Sequence, residues 1–316
     1  MLNTLDLGIK KVTIPLPFAL DHVHCFLTAG ENGWTMIDTG LHQDKTAAIW
    51  KEAIGEEPLE RIILTHLHPD HVGYAGTLQQ KTGAHVWMTE RDSNDLSKIW
   101  ESNALPELEK TYQEAAVPTE ISQNIIRNLE GFHPYIKPLP EVNHYLQDNE
   151  KIVLGGMEYE VYFTPGHAAG LVCFFNHEHG VLLSTDHILP KITPNIAYWF
   201  YGEPNPLQSF ENSLQRIKQL DAKYVIPSHG DPFENANQRI DEIWLHHEER
   251  LARTIEAAKD GVTVFEMCGL LFRKNLSMHD YQFAIGETIA HLEYLVHKNM
   301  LLKEKSQGVW VYHYHY

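Results

Sequence analysis

The chain reads as an α/β protein with a helical insertion and a small module of different character at its C-terminus. Three observations predict this. Short apolar strands alternate with amphipathic helices through residue 236, a dense histidine cluster sits where a strand gives way to a helix, and from residue 237 onward the pattern changes to helices followed by a β-hairpin.

The elements follow in order. Residues 23–28 and 35–37 are apolar runs around the Gly30-Glu31-Asn32-Gly33 turn and predict a hairpin, which Asp38-Thr39-Gly40 ends. Residues 44–54 have helical spacing, 61–64 form a brief strand, 72–82 a helix closed by Gly83, and 84–88 another strand. Residues 92–140 mix helical stretches (105–116 and 120–129) with a segment rich in Pro and aromatics at 132–138, and are expected to lie over the core as an insertion. Strand patterns resume at 151–154, 157–163, 171–175 and 181–184, then a helix at 209–220 and a strand at 224–226. In the tail, 238–258 is a long amphipathic helix, Thr263 and Glu266 have the spacing of a capping box, and a helix at 285–298 precedes a hairpin turning at Gln307-Gly308. Helices followed by such a hairpin resemble a winged helix. The expected division is therefore 1–236 and 237–316.

Composition narrows the function classes. With 25 Lys+Arg against 42 Asp+Glu the formal net charge is −17, the wrong sign for gripping a phosphate backbone. Asp6, Lys10, Lys11, Pro15 and Pro17 interrupt the N-terminal apolar stretches, so neither a signal peptide nor a membrane span is expected, and a cytoplasmic location is. Three scattered cysteines, Cys25, Cys173 and Cys268, suit neither a disulfide framework nor a thiolate zinc site. Histidine is the outlier at 21 residues, an excess compatible with metal binding.

The chemistry concentrates in Thr65-His66-Leu67-His68-Pro69-Asp70-His71. Two histidines one residue apart on an extended segment project to the same side and can reach one metal. Asp70 and His71 follow where the chain turns into a helix and can face a second ion. Imidazole mixed with carboxylate suits a borderline divalent cation.

This pattern resembles the signature of the metallo-β-lactamase superfamily, and the remaining parts follow in order between about residues 5 and 235. Asp38 in Ile37-Asp38-Thr39-Gly40 resembles the strand-end aspartate that braces the metal loop. Thr164-Pro165-Gly166-His167, Ser184-Thr185-Asp186 and Ile226-Pro227-Ser228-His229-Gly230 resemble the later ligand turns. The resemblance implies an αββα sandwich and two metal ions. His66, His68 and His167 would hold one, Asp70, His71 and His229 the other, with Asp186 bridging and Asp38 orienting an imidazole from behind. Zinc is the first candidate, with manganese or iron as alternatives. A hydroxide shared by the metals would attack a carbonyl or phosphoryl centre, with Asp70 as the catalytic proton carrier.

Within the superfamily the core looks like glyoxalase II. The winged-helix-like tail departs from that enzyme's C-terminal region, and Leu189 stands where many lactonases carry a tyrosine. The expectation is a hydrolase of a small ester, thioester or lactone, with a homodimer left open. The alternatives are an endoribonuclease or phosphodiesterase of the same fold, which the negative charge disfavours, and a non-catalytic binding module, which would lack a ligand. His187, Tyr198, Trp199, Phe132 and Tyr135 are the expected substrate-pocket residues, with Trp100 and Tyr112 as further candidates for its apolar wall. His22 and His24 are read as structural, His246 and His247 as solvated.

Overall fold

Apolar side chains alternate along the strands, and the alternation sorts them onto two faces. Along β9 (Val172–Asn176), Val172 and Phe174 enter one core while Cys173 and Phe175 enter another. The same holds for β10 (Val181–Thr185), where Val181 and Leu183 face away from Leu182, and for β11 (Tyr224–Pro227), where Tyr224 and Ile226 face away from Val225. Strands apolar on both faces must be covered on both, which dictates four layers. The protein, seen in a computed structural model describing residues 7–18, 20–101, 104–272 and 276–315, has them. The other positions, Leu5 at the start of the family-like stretch among them, lie outside the described residues.

The first sheet runs in chain order through β1 (Ile9–Pro15), β2 (His22–Ala29), β3 (Trp34–Ile37), β4 (Leu59–Ile63), β5 (His85–Met88) and β6 (Val142–Tyr145). The second has the order β12-β11-β10-β9-β8-β7, completed by β7 (Lys151–Leu154), β8 (Met157–Phe163) and β12 (Phe233–Glu234). Ile9, Phe26, Ile37 and Ile63 of the first sheet meet Ile152, Tyr159, Val161 and Phe174 of the second in a shared core. Helices α1 (Asp44–Ile54), α3 (Ala75–Thr82) and α4 (Glu90–Trp100) cover the outside of the first sheet with Trp50, Leu78 and Leu96. On the outside of the second lie α5 (Leu105–Glu114), α6 (Thr119–Glu130), α7 (Pro206–Lys218) and the C-terminal helices. The αββα reading therefore holds.

Three strands of the two sandwich sheets escape the sequence pattern, β1, β6 and β12, and all are edges. In β1 only Ile9, Val12 and Ile14 are buried, with Lys10 and Lys11 turned to solvent. Charged, Pro-ended edges of this kind guard a sheet against further pairing. β6 alternates between half-buried and exposed positions. The helix expected at 72–82 is two pieces, α2 (Pro69–Val72) and α3, because the chain breaks at Gly73 where backbone from other turns crowds in. A Cβ there would stand 2.5 Å from Tyr135 O and 2.8 Å from Gly40 O.

The tail comprises α8 (Ala236–Ala257), α9 (Val264–Leu271), α10 (Met278–His297) and a three-stranded sheet of β13 (Val262–Thr263), β15 (Val309–Tyr314) and β14 (Leu301–Ser306). The Thr263–Glu266 capping box is present at α9. Ile243, Leu251, Ile285 and Leu292 of the tail share one core with Leu207, Phe210 and Leu214 of α7 and Ile125 of α6. The module is thus fused to the sandwich through a common apolar interior. No helix among the described residues is long and apolar enough to cross a membrane.

The reading of His247 as solvated is corrected here: it is fully buried, its Nδ1 3.1 Å from Nε2 of the equally buried His291. Burial holds the His247 pKa well below the usual histidine value, with charge on His291 as the next cause, and burial pushes His291 down to about 3. Both are neutral in the fold, whereas the unfolded chain protonates them near pH 6.5. The unfolded state therefore binds more protons as pH falls below 6.5. Stability held in full above that value should be lost on descending toward pH 3, by up to about 1.4 kcal/mol per pH unit for each histidine. Unfolding free energies measured between pH 4 and 7 should show a shallower slope in His291→Gln than in the parent.

Candidate metal centre

All seven expected ligands lie at the same end of the sandwich, in turns or, for Asp70 and His71, in the short helix α2. His66, His68, Asp70 and His71 follow β4, His167 follows β8, Asp186 follows β10 and His229 follows β11. β3 and β4 are parallel, as are β10 and β11, so their carboxyl ends open side by side. Two residues there adopt left-handed backbone that side chains rarely tolerate: Asp38 (φ 58°) and Thr185 (φ 49°). Such conformations persist where the surroundings enforce them. Thr185 falls at a register shift between β10 and β11, which aims the next residue, Asp186, into the site.

The structure brings the ligands together. Ligand atoms of His66, His68 and His167 lie within 4.8 Å of one another, as do those of His66, His71 and Asp186, and those of Asp70, His71 and His229. Asp186 Oδ2 is 3.6 Å from His71 Nε2, 3.5 Å from His167 Nε2 and 3.3 Å from His229 Nε2, so it stands between the two groups. Asp70 Oδ2 is 3.6 Å from His71 Nε2 and 3.5 Å from His229 Nε2.

Most of the imidazoles are oriented from behind. His71 Nδ1 donates to Asp38 Oδ2 at 2.8 Å, His167 Nδ1 to Asn195 O at 2.8 Å and His229 Nδ1 to His22 O at 2.6 Å. Because those partners only accept, each neutral ring carries its proton on Nδ1 and faces the site with the Nε2 lone pair. For His66 the proton order runs through a hydroxyl: Thr65 Oγ1 donates to Asp38 Oδ2 at 2.8 Å and is free to accept from His66 Nδ1 at 3.1 Å. Asp38 thus serves Thr65 and His71 together, and its Oδ1 also accepts from Thr65 N at 2.9 Å.

These residues fit divalent cations by a further test. The Nε2 atoms of His71, His167 and His229 and Oδ1 of Asp186 are buried without a hydrogen-bond partner. Buried polar atoms are ordinarily satisfied, and cations held by these groups would satisfy all four. Burial, reinforced by neighbouring imidazoles, holds His66 and His68 well below the usual range, the neutral form a metal requires. Burial opposes charge on Asp186 too, but His229 and His71 outweigh it and hold its carboxyl well below the usual range.

Sequence reasoning missed several supports. Asp92, on α4, is completely buried and joins two ligand turns, accepting from Leu67 N at 2.9 Å and Gly170 N at 2.6 Å. Burial pushes its carboxyl up to about 7. Nothing near Asp92 in sequence marks it, since it is one acid in a polar helix. His22 and His24 are structural, as read. His22 Nε2 accepts from Gly230 N and His24 Nε2 donates to Gly230 O, both at 3.0 Å, clamping the His229 turn. Gly166 is required by conformation: at φ 140° its missing Cβ would lie 2.5 Å from Phe210 Cβ.

A cavity of about 370 Å³ opens beside the ligands, with His68, Asp70, His167, Asp186 and His229 on its floor. Of the expected wall, Trp100, Phe132 and Trp199 are there, with Leu189, Phe200 and Tyr201. Four assignments are corrected. His187 is fully buried behind the site against Phe210, ring centroids 5.4 Å apart. Tyr198 and Tyr112 belong to the core shared with the C-terminal helices, and Tyr135 borders a separate hollow beside His42 and Tyr74. Beside Tyr198 it is Trp199 that takes the cavity position. The wall also includes Leu16, Phe18 and Leu20 from the β1–β2 turn, and Gln282 and Phe283 from α10. The C-terminal module therefore helps to enclose the site.

Comparison with known proteins agrees with this architecture. The model of the metallo-beta-lactamase superfamily matches residues 19–229, and that of the metallo-beta-lactamase-like C-terminal domain matches residues 251–315. The chain is 24% identical over 304 residues to a probable metallo-hydrolase of Bacillus subtilis, covering 90% of this chain and 91% of that one. A metallo-beta-lactamase family protein of Thermus thermophilus superposes with a TM-score of 0.86 at 28% identity, covering 98% of this chain and 99% of the other. A beta-lactamase domain protein of Burkholderia ambifaria gives 0.86 at 26% identity, over 97% and 92%.

Proposed function

Because the chain belongs to the metallo-beta-lactamase superfamily, we propose that it is a hydrolase using two divalent ions, zinc first, to cleave a small ester, thioester or lactone. The observation that carries this reading is the apolar cavity opening directly onto the ligand cluster. Pockets of this size with few convergent polar groups suit a small molecule.

His66, His68 and His167 would hold one ion and Asp70, His71 and His229 the other, with Asp186 shared. Bound there, the pair would supply a water of lowered pKa and polarise the attacked oxygen. The chain's own residues do the rest. Trp100, Phe132, Trp199 and Phe283 hold the acyl group and exclude bulk water. Asp38, Asn195 and His22 fix the imidazoles. Asp70, whose side chain keeps 20% of its exposure at the cavity floor, is the carboxylate placed to carry a proton to the leaving group. A net charge of −17 favours a compact acyl substrate over a phosphodiester polymer.

Elemental analysis of metal-replete protein should approach two equivalents per chain. Some ester, thioester or lactone in a broad panel should be hydrolysed, with loss of activity on chelation and recovery on adding zinc. A stable single equivalent would defeat the two-ion reading. Efficient, chelator-sensitive RNA cutting with no acyl hydrolysis would replace the substrate class.

A further inference from the structure

The carbonyl that orients His167 lies in a segment anchored from the C-terminal module, and we propose that Glu287 of α10 is a positioning residue for that ligand. The proposal rests on reading His167 as a metal ligand.

The path is continuous. His167 Nδ1 donates to Asn195 O at 2.8 Å, and Asn195 Nδ2 donates to Glu287 Oε2 at 2.9 Å. The second carboxylate oxygen, Oε1, accepts from Arg250 Nη1 on α8. The backbone carbonyl of Glu287 accepts from His291 Nδ1 at 2.7 Å. Beside this path, Tyr198 N donates to Gly286 O at 2.9 Å. A Cβ on Gly286 would come within 2.8 Å of Ala197 Cβ, so the segment from Asn195 to Tyr198 lies flat on two consecutive residues of α10.

That segment has no helix or strand of its own, and three of its members and neighbours, Pro194, Asn195 and Trp199, line the cavity. An irregular stretch bordering a cavity takes its position from whatever it is tied to, and here the tie is α10. Arg250 takes one oxygen of Glu287 and Asn195 takes the other. Glu287 is 7% exposed, and a buried carboxylate is retained only where its partners hold it. Glu287, His247 and His291 are near enough to one another to suggest a third metal site. The carboxylate is already taken by Arg250 and Asn195, and the guanidinium sets a permanent positive charge beside it. The path to His167 accounts for the burial of Glu287 and its contact with Asn195 without a cation.

The test compares Asn195→Ala and Glu287→Ala in the full chain. Zinc affinity is measured by competition with a chromophoric chelator, the visible absorption of the cobalt-substituted protein is recorded, and metal-free melting temperatures are measured alongside. Asn195→Ala keeps the carbonyl that His167 uses and removes only the tie to Glu287. Each variant should weaken the site containing His167 by about tenfold, the lower end for groups behind a metal ligand, and should alter the cobalt spectrum. The double variant should be no weaker than Glu287→Ala, because the two act along one path. A purely structural role would lower the metal-free melting temperature and leave affinity and spectrum alone. An Asn195→Ala protein with parental zinc affinity and cobalt spectrum overturns the proposal. It also decides the question alone if Glu287→Ala, with Arg250 left unpaired, does not fold. A parent chain that takes up no zinc fails at the earlier step, the reading of the site itself.

Discussion

Turnover of the Asp70→Asn protein is expected to fall by about two or more orders of magnitude, the usual scale for a general acid–base group. Two carboxylates face the cavity from the ligand set, and their surroundings assign them different work. Asp186 is 8% exposed and held among three imidazoles, its charge committed to them. Asp70 keeps 20% exposure, stands beside His71 and His229, and turns the rest of its carboxyl to the cavity. Asparagine preserves the size and one oxygen donor while removing the group that accepts and releases a proton. Steady-state kinetics on a variant verified to hold its full metal complement provide the check. Near-parental turnover in that protein would move proton transfer to another group.

Asp38→Asn should weaken metal binding at the His71 site by about 10- to 100-fold, although Asp38 is placed to touch no metal. The reason is proton order. Asp38 Oδ2 accepts from both His71 Nδ1 and Thr65 Oγ1, while Oδ1 accepts from Thr65 N. An asparagine amide can satisfy the Thr65 backbone with its oxygen only by turning its NH₂ toward His71. The imidazole must then present a lone pair on Nδ1 and carry its proton on Nε2, the atom that should meet the cation. Competition with a chelator, read beside circular dichroism to confirm the fold, measures the loss. Unchanged affinity in a folded variant would mean that His71 does not depend on Asp38 for its tautomer.

Much of the site was legible because its ligands sit in short turns that carry their own signature. His66 through His71 share one turn, and Pro-Gly or Pro-Ser spacing marks His167 and His229. Those turns need particular residues to bend as they do, so the pattern survives in one dimension. The supporting groups were hidden for the opposite reason. Asp92 and Glu287 are ordinary acids on amphipathic helices, and only the packing of distant segments gives them buried partners. Leu16, Phe18 and Phe283 read as any core residue would. The error over the wall has a similar origin. Within 198–201 the direction of each side chain depends on how an irregular segment drapes over α10, so Trp199 reached the cavity while Tyr198 turned to the core. Periodicity carries no information where there is no period. His247 was misread because its helix looked polar around it, whereas α10 covers that face.

The clamp of His22 and His24 on the His229 turn joins groups 206 to 208 residues apart in the chain. Closing so long a loop carries an entropic cost that only later contacts offset, and non-local pairings of this kind form slowly during folding. No contiguous stretch holds a working ligand set: the sites need the turn after β4 from the first sheet and the turns after β8, β10 and β11 from the second. The ligand cluster is accordingly expected to assemble late in folding. Chains stalled with the two sheets apart would bear every ligand residue and still have no place to assemble them.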